Sequence, residues 1–284
     1  IYENNLFMAN FFEFLCLEPR MQMPGQGRKL PLPLRGGIEF RQVGFRYPDN
    51  EEWALRGVNL VIRPGEKIAL VGHNGAGKTT LIKLLSRLYD PTEGSILIDG
   101  IDIRDLDPLE LQQRIGVIFQ DFVRYHLPVR ENIGFGQIDA LDDAERIVAA
   151  ARKSGAHAVV EELPDGYETM LGRWFHDGHE LSLGQWQKIA LARAFMRDAE
   201  ILVLDEPTAS VDARTEYEIF QNFKAHTEGK MAILISHRFS TVRMADRIAV
   251  IQHGRIAEFG IHDEPLRHGG TYAELYSMQA EGYR

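Results

Sequence analysis

The stretch Ile68-Ala69-Leu70-Val71-Gly72-His73-Asn74-Gly75-Ala76-Gly77-Lys78-Thr79-Thr80-Leu81 decides the fold. Residues 68–71 are continuously apolar and too few for a helix, as in a parallel strand buried on both faces. Residues 72–79 match G-x-x-x-x-G-K-[ST], and Leu81, Leu84, Leu85 and Leu88 follow at helical spacing. Strand, glycine loop and helix in that order form the setting in which this motif holds phosphate. The glycines let backbone N–H groups curl around phosphate oxygens. The helix N-terminus adds roughly half a positive charge, and Lys78 adds a whole one. Thr79 can place its hydroxyl on Mg²⁺.

Two further apolar runs, residues 201–204 and 232–235, have the same character. With helical patterns between them they predict an α/β core. The first ends in Asp205-Glu206, two carboxylates at the carboxyl end of a buried strand, where open α/β sheets bind their ligands. Beside a phosphate loop, Asp205 is expected to support the metal, and Glu206 to orient the water that attacks the γ-phosphorus. His237 follows the second run and reaches the same sheet edge, which makes it a candidate γ-phosphate contact. Tyr47, near the end of an early strand, is either a core residue or a platform for adenine; pattern alone favours the core.

Ahead of the phosphate loop the periodicity changes to alternation, with Ile38, Phe40, Phe45 and Tyr47 in one piece and Leu60 and Ile62 in another. These predict half-buried antiparallel strands, and Asp99-Gly100 supplies the positive φ of a two-residue hairpin turn. Residues 121–197 lack strand patterns and hold helical runs such as 142–153, so they read as a helical insertion. Within them Ser182 and Gln185 form an S-x-x-Q capping box opening a helix to about Met196. That start is either a well-made cap or a second anion site. About a hundred residues separate it from the phosphate loop, and sequence alone does not say whether the two meet.

The 284 residues carry 32 basic and 41 acidic side chains, a net charge of −9. Such a balance repels phosphate backbones, so nucleic acid is not an expected partner. A single cysteine, Cys16, excludes an internal disulfide and paired-cysteine metal sites. No apolar run approaches the roughly 20 residues of a membrane-spanning helix. The richest, residues 6–17, includes Asn10 and Glu13 and lacks the flanks of a signal peptide. Residues 19–36, rich in proline and glycine, read as a linker. The sequence opens at Ile1 without a methionine, and the expectation is a piece of something longer.

Taken together, the motifs resemble those of the nucleotide-binding domain of ATP-binding cassette (ABC) transporters over about residues 37–280. Residues 72–79 resemble the Walker A motif, and Leu181-Ser182-Leu183-Gly184-Gln185 the LSGGQ signature. Residues 201–206 resemble Walker B, Ala209-Ser210-Val211-Asp212 the D-loop, Gln120 the Q-loop and His237 the H-loop. Segments 163–169, 237–242 and 254–260 look like the exporter branch. The resemblance implies a P-loop, RecA-like core with an antiparallel β subdomain and an inserted helical subdomain, about residues 121–197, in an ATPase domain spanning 37–284. Residues 1–18 then resemble the end of a membrane-domain helix, the other reading being an amphipathic segment.

The resemblance also implies roles. ATP would lie on Gly72, His73, Asn74, Gly75, Ala76, Gly77, Lys78, Thr79 and Thr80, with Tyr47 stacked on adenine. Thr79 and Gln120 would ligate Mg²⁺ beside Asp205. Glu206, His237 and Lys78 would act at the γ-phosphate. A second nucleotide-binding domain, alike or unlike, would join head to tail, so that Ser182, Gly184 and Gln185 of one close on the ATP of the other and Asp212 links the two sites. A fused or associated transmembrane domain would place the assembly on the cytoplasmic face of a membrane. Two departures stand out. Leu183 replaces the first signature glycine, and residues 173–180 lack the usual acidic, glycine-rich lead-in. Two other readings share the motifs: a non-transport ABC ATPase, and a regulatory module that binds ATP without turnover.

Overall fold

The computed structural model describes residues 2–16, 21, 25, 27–48, 50–174, 178–206, 213–236 and 238–282. Helix α1 spans Tyr2–Leu15. Strands β1 (Ile38–Phe45), β2 (Leu55–Ile62) and β3 (Lys67–Val71) lead into α2 (Lys78–Leu85), followed by β4 (Glu93–Ile98) and β5 (Ile101–Asp102). Next come α3 (Pro108–Arg114), β6 (Ile115–Ile118), α4 (Val129–Gly134), α5 (Ala144–Ser154), α6 (Ala156–Glu161) and α7 (Leu183–Phe195). The chain continues with β7 (Ile201–Asp205), α8 (Ala213–His226), β8 (Met231–Ile235) and α9 (Phe239–Val242). It ends with β9 (Arg247–Gln252), β10 (Arg255–Gly260), α10 (Asp263–His268) and α11 (Thr271–Gly282).

The alternating segments form an antiparallel sheet in the order β2-β1-β4-β5. The apolar runs form a second sheet, β10-β9-β3-β8-β7-β6, parallel except for β10. Continuous apolarity in its central strands follows from burial on both faces. Ile201 and Val203 face the core shared with α2 and the smaller sheet. Leu202 and Leu204, on the opposite face, pack with α7 and α8. Asp99, at φ 51°, and Gly100, at φ 76°, make the expected hairpin turn between β4 and β5.

Four features differ from the sequence reading. Strand β6 is only four residues long and contains Gly116, so it lacked a strand signature. Strands β9 and β10 form a hairpin at His253-Gly254, marked in the sequence by the apolar run 248–251 before a glycine. Leu88 does not continue α2. Arg87 adopts φ 48°, and its buried guanidinium donates to Leu106 O at 2.9 Å, which ends the helix and leaves Leu88 45% exposed. The proline-rich segment is also fastened along residues 28–37. Leu30 and Leu34 are buried, and the Asp99 carboxylate accepts from the N–H groups of Arg35, Gly36 and Gly37. Among the described residues no helix is long and apolar enough to cross a membrane. In α1, Phe11, Phe12, Phe14 and Leu15 are exposed.

Candidate nucleotide site

Strand β3 delivers the chain to Gly72, where φ is 153° and a Cβ would stand 2.2 Å from Ile251 O. At Gly77, φ 110°, a Cβ would stand 2.7 Å from Leu55 Cδ2 and 2.8 Å from Ala54 O. Only glycine fits either position. The loop is therefore seated between the start of β2 and the end of β9. Gly254 N–H donates to Ala76 O at 3.1 Å, and Arg56 N–H to Gly254 O at 2.8 Å, so the β9–β10 turn ties the loop to the smaller sheet.

Lys78 Nζ curls back to donate to Gly72 O at 2.8 Å and His73 O at 3.1 Å. Only 6% exposed, its ammonium is pushed below the ordinary lysine value by burial, while the charges of Glu206 and Asp205 act the other way. Leu81 N–H donates to Gly77 O at 3.0 Å, so α2 begins on the last glycine and aims its free N–H groups into the loop.

Thr79 Oγ1 donates to Asp205 Oδ2 at 2.9 Å, joining the phosphate loop to the end of β7. Asp205 is 1% exposed, and burial raises its pKa; Glu206 adds to the rise, and the Thr79 hydrogen bond and Lys78 oppose it. Its Oδ1 is buried without a protein hydrogen-bond partner. A buried carboxylate oxygen beside the Thr79 hydroxyl, with the Gln120 amide on the cavity that Thr79 lines, is a hard-oxygen donor set of the kind Mg²⁺ takes. Glu206 lies one residue past β7 at φ 48°, with its N–H donating to Ile235 O at 2.9 Å. A left-handed non-glycine backbone is held there by the neighbouring strand, and such positions concentrate at functional sites.

One cavity of about 470 Å³ is lined by Tyr47, Trp53, residues 74–80, Gln120 and Glu206. Tyr47 serves both readings. Its ring packs against Phe45 and Tyr89 at centroid distances of 4.9 and 5.4 Å, and its hydroxyl lies 3.0 Å from Thr80 Oγ1, yet it also faces the cavity. Trp53 was missed by sequence reasoning, since an aromatic in a polar loop carries no periodic signal.

Ser182, Gly184 and Gln185 do not line this cavity. They open α7 with the expected capping box: Ser182 Oγ accepts from Gln185 N–H at 3.3 Å, and Gln185 Oε1 from Ser182 N–H at 2.8 Å. Leu183 is the first residue of that helix and is partly exposed. His237 and Asp212 lie outside the described residues, as do residues 209–211.

Comparison with known proteins identifies the family. The family model described as ABC transporter matches residues 55–209. The chain belongs to this family, as its ATP-binding domain. It is 41% identical over 277 residues to the subtilin transport ATP-binding protein SpaT of Bacillus subtilis, covering 97% of this chain and 44% of the relative. It is also 41% identical over 271 residues to an ATP-dependent lipid A-core flippase of Alkalilimnicola ehrlichii, covering 95% of this chain and 45% of the flippase. A solved structure of a bacterial Atm1-family ABC exporter with ATP bound superposes with a TM-score of 0.88 at 35% identity, covering 99% of this chain and 48% of the other. The chain thus spans a little under half the length of these relatives.

Proposed function

We propose that this chain is the motor of an ABC exporter, binding Mg²⁺-ATP at the phosphate loop and hydrolysing it to drive transport of a substrate by an attached transmembrane domain. The joining of the phosphate loop to the Walker B strand through Thr79 and Asp205, with Glu206 on the same cavity, carries this reading. Lys78 offers its charge to β- and γ-phosphate oxygens once it leaves the carbonyls of Gly72 and His73. Thr79, Gln120 and Asp205 would hold Mg²⁺, which supplies charge that neutralises the phosphates. Glu206 orients the attacking water and draws its proton, and His237 contacts the γ-phosphate. Little covalent work falls to the protein, so positioning and charge stabilisation carry the catalysis.

Ser182, Gly184 and Gln185 are away from the cavity, which supports a head-to-tail pair in which each signature helix covers the partner's ATP, with Asp212 between the sites. ATP closes the pair and hydrolysis reopens it, through γ-phosphate contacts that ADP cannot make. The exporter relatives support a membrane domain, fused or associated, and a place on the cytoplasmic face of the membrane. The domain division we propose is residues 1–18 as the end of a membrane-domain segment, 19–36 as connector and 37–284 as the ATPase domain, with about 121–197 as its helical part.

Glu206→Gln tests the core of this reading. Turnover should fall at least 100-fold while ATP binding, measured by calorimetry, stays within about threefold, because removing a positioned base loses 10²–10⁴ in rate. Retained turnover would remove Glu206 from its assigned role.

A further inference from the structure

The cavity that contains the phosphate loop has a second aromatic side chain besides Tyr47. Trp53 sits in the loop between β1 and β2, which is held by its own local hydrogen bonds. Asn50 N–H donates to Tyr47 O at 3.1 Å, Glu52 N–H to Asn50 Oδ1 at 2.9 Å, and Ala54 N–H to Phe45 O at 2.9 Å. The indole is braced from two directions. The Arg46 guanidinium carbon lies 3.9 Å from the ring centroid, a cation–π contact on one face. On β1, a Cβ at Gly44 would stand 2.9 Å from the indole Cζ3, so the strand leaves room for the ring by having no side chain there.

This bracing does not make Trp53 a core residue. Tyr47, Ala54 and Tyr89 pack against the main hydrophobic cluster, and Trp53 does not belong to that set. It is half-buried, with a charged side chain on one face and the cavity on another side. The next residue, Ala54, has its carbonyl where it would stand 2.8 Å from a Cβ at Gly77, and the indole lines the same cavity as residues 74–80. A rigid aromatic held at the edge of a phosphate site, without an apolar neighbourhood to fill, is suited to a flat ligand attached to the phosphates.

We propose that Trp53 binds the nucleobase: together with Tyr47 it forms the aromatic wall on which the base of a bound nucleoside triphosphate rests, and it favours purines over pyrimidines. The assignment rests on the reading that phosphates occupy the loop at residues 72–79. The preference follows from stacking area, because every base has a π-face and the two-ring purines cover more of an indole. Arg46 acts through Trp53 as a positioning residue.

The test compares the whole chain with its Trp53→Leu and Trp53→Phe variants, titrated with ATP, CTP and inorganic tripolyphosphate. Leucine keeps apolar bulk without a π-face, and phenylalanine keeps a smaller one. Trp53→Leu should weaken ATP about tenfold, within the range for losing one base–aromatic stack. CTP should weaken less, so that the ATP-to-CTP affinity ratio falls, and tripolyphosphate affinity should not change. Trp53→Phe should retain most of the ratio. An unchanged ratio in Trp53→Leu overturns the proposal, as does an equal loss for all three ligands, which would mark Trp53 as a support of the loop. Failure of the unaltered chain to bind either ATP or tripolyphosphate would instead overturn the phosphate reading, and the Trp53 assignment with it.

Discussion

Gly77, like Gly72, is a residue at which the phosphate loop has no room for a side chain. Its φ of 110° and the nearness of Ala54 O and Leu55 Cδ2 exclude a side chain. Gly77→Ala is expected to destabilise the fold by about 2 kcal/mol, from overpacking and backbone strain combined, and to weaken ATP at least tenfold. Urea unfolding and calorimetry measure the two effects, and an alanine variant with wild-type stability would mean that β2 can move away from the loop. The chemistry-bearing residues Lys78, Thr79, Asp205 and Glu206 were legible in the sequence because motif and strand end coincide. Trp53 was not, since its significance depends on Gly44 and Arg46, which approach it only in three dimensions. Tyr47 could not be assigned from pattern because it takes part in both core and cavity.

At the scale of elements, α7 shows what a local signal conveys. Ser182 and Gln185 satisfy each other's backbone N–H groups, so the start of the helix was readable before its surroundings were known. Ser182→Ala should lower stability by about 1 kcal/mol, the usual value of an N-cap, and a thermal unfolding midpoint that does not fall would assign the cap elsewhere. The end of α2 was not readable, because Arg87 stops it through a carbonyl of another segment, that of Leu106.

A second element-scale contact joins the strand ends. Arg247 Nη2 donates to Glu66 Oε2 at 2.6 Å, and Arg63 N–H donates to the same oxygen at 2.7 Å. Burial would raise the Glu66 pKa, but the Arg247 and Arg63 hydrogen bonds outweigh it and hold the carboxyl below its ordinary 4.5. A carboxylate with a depressed folded-state pKa stabilises the fold above its unfolded value and loses that contribution as pH falls through the folded one. Glu66→Gln should therefore cost stability at pH 7 and progressively less below about pH 4.5. A penalty independent of pH, measured by denaturant titration, would count against a charge-based role.

At the scale of the molecule, the two sheets were predictable from the change between alternating and continuous apolarity, and their meeting at the phosphate loop was not. Nothing periodic announces that the β9–β10 turn reaches both Ala76 and Arg56. The proline-rich connector was likewise read as slack because its anchor, Asp99, lies more than 60 residues away. The paired arrangement proposed above gives Leu183 its importance, since in that arrangement a branched side chain at the first turn of α7 would face the nucleotide of the other copy. Leu183→Gly should raise ATP turnover severalfold while lowering thermal stability slightly, glycine being about 1 kcal/mol poorer than other residues in a helix. Unchanged turnover would show that this position stays clear of the neighbouring triphosphate.

Gly72 abuts Ile251 of one sheet, and Gly77 abuts Leu55 of the other. The loop thus works as a hinge pin shared by two leaves, and whatever loosens the seam at residues 54–56 or 251–254 is felt as lost grip on the nucleotide. Genetic screens for loss of ATP binding should accordingly recover lesions along that seam, in side chains that never meet the ligand.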